Sequence, residues 1–341
     1  MPALLADLTT LRLGGPAGHV VTASSTDELV GAVRAADATG EPVLIVGGGS
    51  NLVVADAGWP GVAVLVRTSG ISTETTDGGA AVRVTVQAGV PWDSLVSISV
   101  REGWSGLAAM SGIPGMTGAT PIQNVGAYGS EVADVIRAVT LLDRTTGEIE
   151  QWTPEMCGFG FRTSAFKHTD RYVILDVTFR LNSSPDGVPV GYLELARRLG
   201  VEPGGTAPSH RVREVVLELR RSKGMLLDPD DHDTWSVGSF FVNPFVPADL
   251  VPAGCPQWVV DGQIKLSAAW LIENAGFGKG FGLTHGRGTV SVSTKHTLAL
   301  TNRGGATTAE LLHLAAEIRE GVEAKFGIRL RPEAHLAGVD F

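Results

Sequence analysis

Apolar residues in the first third of the chain recur at alternating helical and extended spacings. Leu29, Val30, Val33 and Ala36 share one helical face, with Ser25 and Glu28 at capping-box spacing ahead of them and Gly40 and Pro42 beyond. Residues 43–46 form a short apolar run leading into Gly47-Gly48-Gly49-Ser50-Asn51, and residues 52–54 and 62–66 are two more candidate strands. Val82, Val84 and Val86 alternate with Arg83, Thr85 and Gln87, the period of a half-buried strand. Pro91 opens a further helix that Gly103 closes. Residues 139–142 followed by Thr145-Thr146-Gly147-Glu148 read as a hairpin, and residues 172–181 as a strand.

Residues 182–188 are polar and turn-rich, and a sparse stretch at 202–208 repeats that signal, so a domain boundary is expected near Tyr192. A helix over 209–223 follows, with Val212, Val215, Val216 and Leu219 on one face. A short helix follows Ser267, and residues 290–292 and 297–300 are strands. Thr307 and Glu310 then box a helix whose stripe is Leu311, Ala315, Ile318, Val322 and Phe326, ended by Gly327.

With 341 residues the chain exceeds one small core. Its 43% hydrophobic and 18% charged residues describe a folded globular protein. Forty-four glycines are about twice the usual share and point to tight turns or close backbone approaches. A net charge of −9 argues against nucleic acid as a partner, and an anionic ligand would need local Lys and Arg. Cys157 and Cys255 lack metal-ligand spacing, so no metal is expected, and they read as reduced thiols. The segment from Met1 to Asp7 has neither a basic start nor a long apolar stretch, and no run approaches the ~18 apolar residues of a membrane span. The expectation is a cytoplasmic monomer.

Gly47-Gly48-Gly49 after a strand suggests a dinucleotide turn, but Leu52 stands where the Rossmann fingerprint needs its third glycine, and strand follows instead of helix. What remains is a turn that either cradles a phosphate on backbone N–H groups or simply joins two strands. The run from Ser111 to Gly129 is longer and carries no charged residue. It suits a neutral backbone surface against a flat ring and a diphosphate, with Gln123 and Asn124 able to reach ring-edge heteroatoms; a structural loop is the alternative.

Six motifs then appear in order: Gly47 to Leu52; Gly112-Ile113-Pro114-Gly115; Gln123-Asn124-Val125-Gly126-Ala127-Tyr128-Gly129; Phe159 to Lys167; Gly238-Ser239-Phe240-Phe241-Val242-Asn243-Pro244; and Arg331-Pro332-Glu333. In these the chain resembles the UDP-N-acetylenolpyruvoylglucosamine reductase (UDP-N-acetylmuramate dehydrogenase) family. The resemblance implies an α+β fold: an FAD-binding domain of the vanillyl-alcohol-oxidase (PCMH) type made of two subdomains over 1–190, an α+β substrate-binding domain over 191–330, and a tail, 331–341, returning to the flavin. It implies non-covalent FAD, NADPH as hydride source and UDP-N-acetylglucosamine enolpyruvate as acceptor, in peptidoglycan precursor synthesis.

Residue by residue, the resemblance places FAD contacts at Gly47, Gly48, Gly49, Ser50, Asn51 and Leu52 in the first turn. In the second run it places them at Ser111, Gly112, Ile113, Pro114, Gly118, Ala119, Thr120, Gln123, Asn124, Gly126 and Ala127. Arg162, a planar cation suited to a carboxylate, matches the family's catalytic arginine, although Phe161 stands where the family often has tyrosine. Ser239 matches the proton donor and Glu333 the third catalytic position, where burial would keep the carboxyl protonated and able to donate to an enolate. Tyr192, Lys223, Asn243 and Lys279 match substrate contacts. The segment around Tyr192 is similar, but not identical, to the mobile tyrosine loop of one subtype. Two other readings stay open: another FAD oxidoreductase of the same fold, and a non-catalytic nucleotide-sugar binding protein.

Overall fold

A computed structural model describes residues 3–341, so Met1 and Pro2 of the segment read for a signal peptide lie outside the described residues. Helices and sheets are mixed throughout, as an α+β fold requires. The chain forms two compact units. The first holds residues 19–48 and 61–221; the second holds the residues through Gly18 together with Gly49–Pro60 and Ser222–Phe341.

The first unit is built on two sheets. Helix Thr26–Thr39 starts at Ser25, whose hydroxyl accepts from the Glu28 N–H (3.2 Å), while the Glu28 carboxylate accepts from the Ser24 N–H (2.8 Å). Such a cap stabilises a helix by about 1 kcal/mol. The Leu29, Val30, Val33 and Ala36 face is buried with Val43, Val62 and Val64 from two parallel strands, in which Val43 stands opposite Val62. The larger sheet is antiparallel and places Ile149–Trp152, Ile136–Asp143, Tyr172–Ser183, Ala81–Gln87 and Ile71–Thr76 side by side. Val82, Val84 and Val86 turn one face of it into a core shared with Trp92, Leu95 and Val96 of helix Trp92–Arg101.

A third cluster moves the expected boundary. Val212, Val215, Val216 and Leu219 of helix Ser209–Ser222 are buried with Ala108, Ala109, Val190, Leu195 and Ala196. Full burial of a large aliphatic side chain is worth about 1.5–3 kcal/mol, so this stripe commits the helix to the residues before it. The compact units therefore part at 221/222 rather than at 190/191.

In the second unit, helix Thr308–Phe326 starts from the expected capping box: the Thr307 hydroxyl accepts from the Glu310 N–H (3.1 Å) and the Glu310 carboxylate from the Thr307 N–H (2.9 Å). Leu311, Ala315, Ile318 and Val322 are buried with Leu11, Leu13, Val53, Phe240, Phe241, Leu271 and Ile272. The Asp56 carboxylate accepts from the N–H groups of Thr308 (2.7 Å) and Ala309 (2.9 Å), which ties the 49–60 segment to this helix. Ser267 caps helix Ala268–Asn274 as expected. Strand Val290–Val292 pairs with Leu300–Asn302, not with 297–300, because Ala299 closes a turn on the His296 carbonyl (3.1 Å). At the C-terminus, strand His335–Ala337 runs parallel to Leu52–Val54 with His335 opposite Leu52, so the tail returns along the stretch that follows the first glycine turn. Among the described residues no helix is long and apolar enough to cross a membrane.

Candidate active site

In the first unit the two glycine-rich segments approach backbone to backbone. A Cβ added to Gly48 would lie 2.7 Å from the Gly115 Cα, and one added to Gly118 would lie 2.5 Å from the Ala88 Cβ. The second run is pinned along the segment before helix Trp92–Arg101: the Trp92 N–H donates to the Gly115 carbonyl (3.0 Å), the Thr117 N–H to Val90 (2.8 Å) and the Gly118 N–H to Ala88 (2.9 Å). Its start is held by Asp93, whose carboxylate accepts from the Gly112 N–H (2.6 Å) and from both Nη atoms of Arg213 (2.6 and 2.8 Å). Burial opposes ionisation of Asp93, but Arg213 and the Gly112 N–H together outweigh it and hold the carboxyl below its ordinary value. On the other segment, Arg67 Nη1 donates to the carbonyls of Gly47 and Val66 (2.8 Å each). An uncharged, backbone-lined surface of this kind fits a flat ring system with a diphosphate.

Side chains in the run divide into those turned inward and those left at the surface. The Ser111 hydroxyl donates to Ala108 (2.7 Å) and the Thr120 hydroxyl to Thr117 (2.8 Å), so both complete their own turns. Ile113 packs on the core. Pro114 and Ala119 are exposed, and Gln123 is half-buried. Asn124, expected at a ring edge, is 1% exposed: its amide donates to Glu131 Oε2 (2.7 Å) and the Gly160 carbonyl (3.0 Å) and accepts from the Ala133 N–H (3.1 Å). That amide braces the loop, and only the Asn124 backbone is left to face a ligand. Gly126 and Ala127 begin a small hairpin with Ser130 and Glu131, with Tyr128 at its tip.

Arg162 sits in the tight turn closed by Gly160 and Thr163, with φ 53°. A left-handed conformation costs a side-chain-bearing residue about 1 kcal/mol or more, and glycine would avoid it. The guanidinium is aimed back at the second glycine run: Nη2 donates to the Gly126 carbonyl (2.6 Å) and Nη1 to the Asn124 carbonyl (3.3 Å). Lys167 Nζ donates to the Arg162 carbonyl (2.8 Å) and steadies the turn. Tyr192 lies in this unit, not with the residues after 221, and its ring meets Tyr128 edge-on at 5.5 Å.

The second unit gathers a different set. The Glu333 N–H donates to the Phe240 carbonyl (2.7 Å), the Phe240 N–H to Leu298 (2.7 Å) and the Val242 N–H to Arg331 (3.1 Å), with Phe241 bridged to Pro332. This short antiparallel pairing sets Ser239 and Glu333 on neighbouring backbone. Phe240 and Phe241 are buried and anchor it. Ahead of Ser239, Gly238 has φ 75° and its N–H donates to the Ser236 hydroxyl (3.2 Å), while the Thr10 hydroxyl donates to the Ser236 carbonyl (2.6 Å). The Asn51 carbonyl accepts from the His335 N–H (2.9 Å), two residues beyond Glu333.

Gly49, Ser50, Asn51 and Leu52 belong to this unit, whereas Gly47 and Gly48 belong to the first. Leu52 is a core strand residue, 7% exposed. The Asn243 side-chain oxygen accepts from the Ala268 N–H (2.9 Å), at the start of helix Ala268–Asn274, which is a structural task. Lys223 is half-buried just past helix Ser209–Ser222, and Lys279 is exposed between Gly278 and Gly280. Sequence reasoning missed Arg67, Asp93, Glu131 and Thr10, and met Lys167 only as the end of the Phe159 to Lys167 motif. Glu131 alone left a signal, as a carboxylate close behind an uncharged run.

Residues 17–153 match a family described as FAD binding domain, and residues 228–337 match the UDP-N-acetylenolpyruvoylglucosamine reductase, C-terminal domain. The UDP-N-acetylenolpyruvoylglucosamine reductase of Cutibacterium acnes is 52% identical over 98% of this chain and 89% of its own. That of Thermobifida fusca is 52% identical over 98% and 97%. The crystal structure of the reductase from Thermus caldophilus superposes with a TM-score of 0.67 at 25% identity, covering 98% of this chain and 97% of the other. With such identity sustained along almost its whole length, the chain belongs to the UDP-N-acetylenolpyruvoylglucosamine reductase family.

Proposed function

We propose that the protein is a cytoplasmic flavoenzyme of peptidoglycan precursor synthesis that reduces UDP-N-acetylenolpyruvoylglucosamine to UDP-N-acetylmuramate at the expense of NADPH. The glycine-lined surface formed by Gly47, Gly48 and residues 112–127 holds FAD, chiefly through backbone. Bound there, FAD supplies a two-electron carrier that accepts a hydride from NADPH and returns it to an acceptor.

The substrate's double bond is conjugated to a carboxylate. Hydride addition at its far carbon leaves an electron pair on the carbon next to that carboxylate. Arg162 stabilises this enolate-like charge with a planar fork already oriented by the Asn124 and Gly126 carbonyls. The Ser239 hydroxyl delivers the proton that completes the saturated carbon. Glu333, beside it on paired backbone, donates a hydrogen bond to the developing enolate. Lys223 and Lys279 offer positive charge to the diphosphate, and Tyr192 is a further substrate contact.

The observation that carries the chemical assignment is the left-handed Arg162, a strained cation held on the carbonyls of the glycine run. The test is NADPH oxidation followed with and without UDP-N-acetylenolpyruvoylglucosamine. Acceleration by substrate supports the reading. A flavin-containing protein whose NADPH oxidation ignores this substrate belongs to a different oxidoreductase, and a protein without flavin is a binding module.

A further inference from the structure

Two carbonyl groups direct Arg162, and both belong to residues that meet Glu131: Asn124 through the Glu131 side chain and Gly126 through its backbone. Asn124 is held through its amide, which donates to Glu131 Oε2 at 2.7 Å. Gly126 is held by strand pairing opposite Glu131, with packing so close that a Cβ on Gly126 would meet the Glu131 Cγ at 2.8 Å. The same Asn124 amide also donates to the Gly160 carbonyl (3.0 Å), in the turn that carries Arg162. Its oxygen accepts from the Ala133 N–H (3.1 Å), which fixes the amide orientation, because a flipped amide would set oxygen against both the Glu131 carboxylate and the Gly160 carbonyl. Glu131 is itself fixed, its N–H donating to Asp134 Oδ2 at 2.9 Å. Asn124 has φ 46°, a second left-handed side-chain-bearing residue in the same network.

From this geometry we infer that Glu131 is a positioning residue for Arg162. Its carboxylate reaches the arginine's partners through Asn124 and its backbone pairs with Gly126, which keeps the two acceptor carbonyls at the spacing that aims the guanidinium. The inference rests on Arg162 being the group that stabilises the enolate. A carboxylate suits the task because a charge-assisted bond to the Asn124 amide is roughly twice as strong as a neutral one.

The experiment compares Glu131→Met, which keeps length but loses the acceptor, with Glu131→Gln, which keeps an acceptor oxygen. Glu131→Met is expected to retain its flavin spectrum and its reduction by NADPH, while kcat for UDP-N-acetylenolpyruvoylglucosamine falls on the order of 10- to 100-fold with a smaller change in KM. Glu131→Gln is expected to restore most of the rate. In an Arg162→Ala background Glu131→Met should add no further loss, since both changes remove the same interaction. A full independent loss in that background overturns the inference, as does native turnover in Glu131→Met, or loss of flavin from both variants. The side-chain NMR signals of Arg162 test it without turnover: they should stay narrow in the native protein and Glu131→Gln and broaden in Glu131→Met. Unchanged signals in Glu131→Met overturn it. A native protein that fails to reduce the substrate refutes the proposed reaction instead and leaves the NMR comparison to decide the role of Glu131.

Discussion

Replacing Gly48 by alanine tests the backbone-lined cradle at its tightest point. The new Cβ would lie 2.7 Å from the Gly115 Cα, 3.3 Å from its carbonyl carbon and 3.4 Å from its nitrogen. Carbon atoms in contact settle at about 3.5–4.0 Å, so the two segments must separate by roughly 1 Å. All three neighbours are backbone, and no side chain can rotate away. Forced overpacking of this kind costs about 1–3 kcal/mol. Gly48 lacks the left-handed φ that would strain alanine by itself, so steric contact is the whole of the native-state effect. If that energy is expressed at the FAD surface, affinity falls between about 5- and 150-fold, at 1.4 kcal/mol per tenfold. The assay is an FAD titration of apoprotein by quenching of flavin fluorescence, with thermal melting of the same samples. Gly31→Ala is the matched control: Gly31 lies inside helix Thr26–Thr39 with nothing within 4 Å of its added Cβ. That change should stabilise the fold by about 0.5–1 kcal/mol and leave FAD affinity alone. Native FAD affinity and melting in Gly48→Ala would refute the reasoning.

Three further outcomes are expected. Ser239→Ala should still be reduced by NADPH but lose about 10²- to 10⁴-fold in reoxidation by substrate, measured by anaerobic stopped flow; loss of both half-reactions would assign Ser239 a structural role. Arg162→Lys keeps the charge but not the planar fork, and kcat should fall about 10- to 100-fold while flavin content is unchanged. Asp143, whose side chain is 2% exposed, is held at a pKa of about 2 by its bond to Arg171, against burial and with help from the Thr145 N–H. A carboxyl with a lowered folded-state pKa contributes stability above its ordinary value near 3.8 and loses it as pH falls through about 2. Melting temperature should therefore drop more steeply between about pH 4 and 2 in the native protein than in Asp143→Asn, and parallel curves would contradict the assignment.

Features decided by neighbouring residues were legible in the sequence. Ser25 with Glu28 and Thr307 with Glu310 are capping signals whose partners lie three residues away, and both helices start where those pairs stand. The Val82, Val84, Val86 alternation names a strand for the same local reason. What failed depends on distant partners. The stripe of helix Ser209–Ser222 could be read, but not that Ala108, Ala109 and Val190 would cover it and place the helix in one compact unit with the residues before it. Ile71–Thr76 escaped notice because its Ser-Thr-Glu-Thr-Thr tail has no apolar alternation; it is an edge strand defined by its neighbour. The small sheet of Phe245–Val246, Gln257–Val260 and Gln263–Leu266 is built of strands too short to show a period.

Within the candidate site the same division holds. Glycines and the Arg162 motif stood out by composition and order. Asn124 and Asn243 stood out because an amide advertises hydrogen bonds; the Asn124 amide is bound within the fold at both ends, and the Asn243 side-chain oxygen accepts from the Ala268 N–H. Leu52 lay in a glycine-rich motif but faces the core. Asp93 acts on loop backbone far from it in sequence, and no spacing rule announces a carboxylate of that kind.

The most direct test of the proposed chemistry is a single anaerobic turnover. The protein is reduced with one equivalent of NADPH, mixed with UDP-N-acetylenolpyruvoylglucosamine in deuterated water, and its product weighed by mass spectrometry. Reoxidation of the flavin with one UDP-N-acetylmuramate formed per flavin, carrying non-exchangeable deuterium from solvent on the carbon beside the carboxylate, and a second on its neighbour where the flavin hydrogen has exchanged before transfer, is the expected result. A flavin that stays reduced in the presence of this substrate, or a product without the deuterium beside the carboxylate, would contradict hydride addition completed by a protein-borne proton.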